Sequence, residues 1–213
     1  PTSEWYGSAG GVCFVNSFTW GSGLGTQVCW VFSTLLNNNV KFVKEAIGHE
    51  AGHSLGLYHW QRYDPANGNL LSSYYTGNGT WAPIMGVGYY VPITGWSKGE
   101  YPGAGTFGMG NLQDDIQVIN TTLGETLSDE APGTAVSNAT VVPTNSNGLV
   151  NVDYRGVISS GNDVDVFKLK TQGGDIGLSV LPSLSAPNLD FTVRVLNSAG
   201  AVAFESNPVG ISS

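Results

Sequence analysis

Eleven consecutive residues, His49-Glu50-Ala51-Gly52-His53-Ser54-Leu55-Gly56-Leu57-Tyr58-His59, contain every histidine of the 213-residue chain. They close a stretch of helical period. From Val40 onward Phe42, Val43, Ala46, Ile47 and Leu55 make one apolar stripe, and Asn37-Asn38-Asn39 offers an N-cap. This predicts a helix over about residues 40 to 55. On it His49 and His53 lie one turn apart on the same face, and Gly56 supplies the left-handed turn that ends it. His59 is then carried round toward the other two imidazoles. Any fold the chain adopts must let those three rings converge.

Three imidazole nitrogens with no fourth protein ligand suit a tetrahedral Zn²⁺ at about 2.0–2.1 Å, the last position being left to water, whereas a structural site is closed by a fourth protein ligand. Such an ion lowers the pKa of a water from roughly 15.7 to about 7 and polarises a carbonyl. Glu50, beside the first ligand, is the candidate general base that takes the proton and passes it on to a leaving amine. From average residue usage, a chance match at the three His, the Glu and Gly56 anywhere in the chain is on the order of one in 10⁵. The alternative, histidines merely scattered on an amphipathic helix, is set aside on that basis.

The remaining pattern is mixed. Gly11-Val12-Cys13-Phe14-Val15 and Gln27-Val28-Cys29-Trp30-Val31-Phe32 read as two strands around a Gly-rich turn. Cys13 and Cys29 suit a disulfide pinning that hairpin, which would contribute roughly 3 kcal/mol by closing its loop; two buried free thiols are the alternative. Residues 60–110 sustain neither period and are expected to form long functional loops along a cleft. Residues 111–122 return to helical period through Leu112, Ile116 and Ile119, with Gly124 closing. After a linker at 125–134, four alternating segments (150–154, 164–169, 176–180 and 191–196) read as strands of a small β-sandwich. The expected fold is α+β, with a catalytic domain at 1–125 and an all-β sandwich at 126–213.

The His49 to His59 segment resembles the extended zinc signature of the metzincin metallopeptidases, whose second hallmark is a Met-containing turn under the metal. Ala82-Pro83-Ile84-Met85-Gly86 looks like that turn, Met85 falling 26 positions after His59. The resemblance implies that Met85 floors the site without ligating. It also implies that Gly11, Val12, Cys13, Phe14 and Val15 form the edge strand that holds an extended peptide by main-chain hydrogen bonds, and that residues 86–105 wall the pocket beyond the scissile bond. In astacins and serralysins a Tyr follows the Met by two positions; here position 87 is Val, with Tyr89 and Tyr90 as nearby substitutes. Where reprolysins carry Asp after the third His, this chain has Trp60. The closer likeness is to reprolysin-like bacterial secreted peptidases, through Trp81 to Tyr90, Trp96-Ser97-Lys98-Gly99-Glu100-Tyr101 and Asn111 to Ile119. The C-terminal module resembles the bacterial pre-peptidase C-terminal domain, through Gly156-Val157-Ile158, residues 162–167, Pro187-Asn188-Leu189-Asp190 and Gly200. By these likenesses the N-terminal part of the catalytic domain and the closing strands of the sandwich are expected to be missing, so that a partner chain or further domains would complete them.

Ca²⁺ is a secondary expectation. Asp114 and Asp115 with Glu100, and Asp163 with Asp165, are the candidates, although a solvated helix face and turn-capping carboxylates respectively are the more ordinary readings. Sixteen Asp and Glu against eight Lys and Arg leave a net charge of −8, which argues against a nucleic-acid partner. No apolar run reaches the eighteen residues of a membrane span. The Asn-x-Thr sites at Asn78, Asn120 and Asn138 carry no weight without a known host. The expectation is a secreted, extracellular bacterial zinc endopeptidase acting on protein or peptide. The alternative is a zinc-containing binding or assembly module of the cell surface that no longer cleaves.

Overall fold

The structure is a computed structural model that describes residues 6–21, 28–125, 131, 133–143, 154, 156–158, 163–170, 173–182, 189 and 191–207. The chain divides into two compact units, residues 1–126 and 127–213.

The first unit is organised around α1 (Val40–Ser54). Asn39 caps it, its side chain accepting from Phe42 N–H at 3.2 Å. At the other end Leu57 N–H reaches the Gly52 carbonyl at 3.0 Å and Gly56 N–H the His53 carbonyl at 2.9 Å. That is a Schellman termination, and Gly56 makes it possible with φ of 103°. The short antiparallel pair β1 (Gly11–Val12) and β2 (Trp30–Val31) lies against α1. A disulfide joins Cys13 to Cys29 beside this pair, with Cα atoms 4.4 Å apart. Strand structure is therefore shorter than the alternation suggested, because the chain turns into a 3₁₀ helix at Ser17–Thr19. The Gly-rich turn falls on residues 22–27, outside the described residues.

Residues 60–110 correct the expectation of a loop-only cleft wall. They contain β3 (Gln61–Tyr63), β4 (Leu70–Ser72), β5 (Trp81–Pro83), β6 (Ile93–Gly95) and β7 (Ala104–Gly105). Strands β4, β3 and β7 form one antiparallel sheet in that order, and β5 pairs β6 in parallel. None exceeds three residues, too short for a period of two to show. Between them lies the core: Leu57, Trp60, Tyr75, Met85, Tyr101 and Ala104, with Trp81, Ile84, Trp96, Val118 and Ile119 packed against it. Tyr75 and Tyr101 stack at 3.8 Å between ring centres. Burying each large side chain contributes about 1.5–3 kcal/mol, and Tyr101 keeps its hydroxyl bonded by donating to the Gln61 carbonyl.

The helix expected at 111–122 begins later, as α2 (Asp115–Leu123), because Asp114 takes the cap by accepting from Gln117 N–H at 3.1 Å. Gly124, with φ of 70°, ends it.

In the second unit the described strands are β8 (Thr140–Val141), paired in parallel with β9 (Phe167–Lys168), and the antiparallel hairpin β10 (Val193–Leu196) and β11 (Val202–Ser206). β9 and β10 fall within two of the expected segments; β8 and β11 were not anticipated. The segment 176–180 is not a strand, despite its alternation: its residues are exposed, and a strand needs a partner as well as a pattern. The stretch 150–153 lies outside the described residues.

Candidate metal centre

The helix places His49 and His53 on one face, with ring centres 4.8 Å apart. Each is oriented from behind by a carbonyl. His49 Nδ1 is 2.8 Å from the Ile84 oxygen and His53 Nδ1 is 2.8 Å from the Leu57 oxygen. A carbonyl only accepts, so Nδ1 carries the proton in both rings and Nε2 keeps its lone pair. His59 comes back to them beyond Gly56, its ring centre 4.6 Å from His53 and 5.0 Å from His49. One ligating atom from each of the three residues lies within 4.8 Å of the others. His53 Nε2 and His59 Nε2 stand 2.8 Å apart.

Burial holds His49 down to about 4, with His53 adding to it, and holds His59 down to about 3, with His49 and His53 adding to it. Burial also lowers His53, against the Leu57 carbonyl. All three are neutral imidazoles at neutral pH, the state a metal ligand requires. Tetrahedral zinc at about 2.05 Å would set its nitrogens roughly 3.3 Å apart, within the reach of this cluster. The donor set fits a divalent metal ion.

Glu50 is buried on the same helix, and burial pushes its carboxyl up to about 7. Gly11 of β1 backs directly onto it. A Cβ at position 11 would come within 2.7 Å of Glu50 Cγ and Oε1 and 2.8 Å of the Trp30 carbonyl. Among the described residues β1 pairs with β2 alone, so its other edge has no ladder partner. Met85 is fully buried against Gly52, where a Cβ would meet its Sδ at 2.5 Å, and its carbonyl accepts from Trp60 N–H at 2.9 Å. The turn that holds Met85 thus also supplies the Ile84 carbonyl behind His49.

Several expectations are corrected. Asp115 is not on a solvated face: it is fully buried and accepts from Trp60 Nε1, Ser97 N–H and Gln113 Nε2. Burial pushes it up to about 6, while those donors pull it down, so it is ionised at neutral pH. Asp114 is spent on the α2 cap, and Glu100 accepts from Ser97 Oγ and Lys98 N–H. Among the described residues the three histidines are the one group of three or more ligating side chains that converge; Asp114, Asp115, Glu100, Asp163 and Asp165 form none. Tyr89 packs on Phe42 at 5.0 Å between ring centres, and burial first, then Glu50, raises its pKa; Tyr90 is largely exposed. A further tyrosine, Tyr74, stands beside the cluster, 4.2 Å from the His59 ring and 6.2 Å from that of His49. Burial first, then Glu50, raises its pKa, so it keeps its hydroxyl proton. No spacing rule pointed to Tyr74, because its position follows from the pairing of β3 and β4.

No family model, curated protein or solved structure matches the chain. No helix among the described residues is long and apolar enough to cross a membrane. The disulfide is of the kind that persists in oxidising compartments.

Proposed function

We propose that the chain is a zinc-dependent endopeptidase of metzincin type, secreted by a bacterium, in which His49, His53 and His59 hold the metal and Glu50 is the general base. The observation that carries the reading is the convergence of three neutral imidazoles, with a buried carboxyl pushed up to about 7 one residue along the helix from the first of them. When bound, zinc supplies Lewis acidity, acidifying a water and polarising a carbonyl. The chain's own groups do the rest. Glu50 sits at the pKa at which a carboxylate can both take a proton from water and return it to an amine. The open edge of β1 can receive an extended peptide by main-chain hydrogen bonds, next to the Gly11 contact with Glu50. Tyr74 and His59 form an aromatic wall at the cluster.

The test is hydrolysis of casein by the purified protein with and without a metal chelator, together with the Glu50→Gln variant. Chelator should abolish cleavage and zinc restore it. Glu50→Gln should retain about one zinc per chain while losing about 10²–10⁴-fold in rate. A zinc-loaded protein that cleaves nothing would be the binding or assembly module instead.

A further inference from the structure

We infer that Gln113 and Asp115, at the start of α2, are positioning residues for the third metal ligand, fixing His59 through the residues on either side of it. His49 and His53 are each held twice, by the backbone of α1 and by a carbonyl behind the ring. His59 lies outside that helix, and among the described residues no carbonyl backs its ring.

Its neighbours are gripped instead. Gln113 Oε1 accepts from Tyr58 N–H at 3.1 Å, and Gln113 Nε2 donates to the Tyr58 carbonyl at 2.8 Å. One side-chain amide thus satisfies both backbone groups of the residue before His59, and only one orientation of the amide does so. The same Nε2 donates to Asp115 Oδ1 at 2.9 Å. Asp115 in turn takes the indole N–H of Trp60, the residue after His59, across both carboxylate oxygens at 3.1 Å each. Ser97 N–H, at 2.9 Å, completes the anchor. Trp60 and Asp115 are fully buried, where hydrogen bonds to a carboxylate are strong and costly to break. Residues 58 and 60 are therefore both tied to a pair of side chains 55 positions further along the chain, and His59 is suspended between them. Neither Gln113 nor Asp115 belongs to the ligand cluster itself.

The inference rests on the metal-binding half of the proposed function and not on hydrolysis, so it is tested by metal affinity. Metal-free wild type, Asp115→Asn and Gln113→Leu are titrated with Zn²⁺ against a chromophoric chelator, with thermal melting and the visible spectrum of the Co²⁺-loaded protein recorded alongside. Thr106→Val, which breaks the bond from Thr106 Oγ1 to the Asn111 carbonyl outside the clamp, is the control for simple destabilisation. Both clamp variants should bind Zn²⁺ about 10–100-fold more weakly and show altered Co²⁺ bands, while Thr106→Val binds as wild type even where its melting temperature falls. Affinities within twofold of wild type in the folded clamp variants would overturn the inference, as would an equal loss in Thr106→Val. Should Asp115→Asn fail to fold, Gln113→Leu, on a half-buried side chain, decides alone. Wild type that binds no zinc sinks both this inference and the peptidase reading; wild type that binds zinc and cleaves nothing sinks the reading only.

Discussion

The metal centre is built from two unlike halves. Its helical half, His49, Glu50 and His53, comes from one regular element whose pitch alone brings the residues together. Its loop half, His59, stands beyond a Schellman turn and is held by residues far along the chain. The first half has its ligands set on one face by α1 and then oriented by the Ile84 and Leu57 carbonyls; the second is brought into place by the core, the Met85 turn and the start of α2. A ligand supplied by local geometry is thus paired with one supplied by tertiary structure, which couples metal binding to the folding of the whole unit.

The largest expected effect follows from that coupling. With zinc at about 1,000 times its dissociation constant, removal of the metal should lower stability by about 4 kcal/mol, read as a drop in melting temperature on adding chelator. His53→Ala and His59→Ala should each abolish the chelator dependence. If His59→Ala kept most of it, the helical half would suffice and the contrast between halves would fail.

The same division explains what was legible in the sequence. The α1 boundaries, the Asn39 cap and the Gly56 turn were readable because each is set by residues within a few positions. The convergence of His59 followed from a Gly at the point where the helix must stop. Asp115 could not be read: on a helix bearing Asp114 and Asp115 side by side, nothing local distinguishes the exposed cap from the buried anchor. Its partners Trp60 and Ser97 arrive from loops whose paths depend on strands of two or three residues. Tyr74 was hidden for the same reason, and the segment 176–180 shows the converse, alternation with no strand paired to it among the described residues.

A second test probes the contact of β1 with the helical half. Gly11→Ala forces a methyl into the space of the Glu50 side chain and the Trp30 carbonyl. Zinc affinity should stay as in wild type, because no ligand is touched. The rate of peptide hydrolysis should fall by about 10²-fold, the order expected when a reacting group is displaced by about 1 Å. Equal turnover would show that Glu50 is not held by β1.

The joint between the halves is Gly56. A Cβ there has room, its nearest neighbour being Val118 Cγ1 at 3.5 Å, so Gly56→Ala isolates the strain of a positive φ. The expected loss is about 1–2 kcal/mol of stability, measured by denaturant unfolding of the metal-free protein. Because His59 follows the turn, zinc affinity should fall as well. A stability loss with affinity unchanged would mean that the clamp around residues 58 and 60 holds His59 independently of the turn.

The smallest effect belongs to the far end of α1. Asn39→Ala removes the side chain that accepts from Phe42 N–H, and loss of such a cap costs about 1 kcal/mol. His49 is ten residues further along the helix, past two full turns whose backbone bonds do not involve the cap. Fraying at the N-terminus therefore stops short of the ligands, and the variant should melt earlier while binding zinc with wild-type affinity. Should Asn39→Ala weaken zinc binding, the ligands of the helical half would not be insulated from the N-terminus of α1. The distinction between local and tertiary control of the ligands would then have to be redrawn along the length of α1.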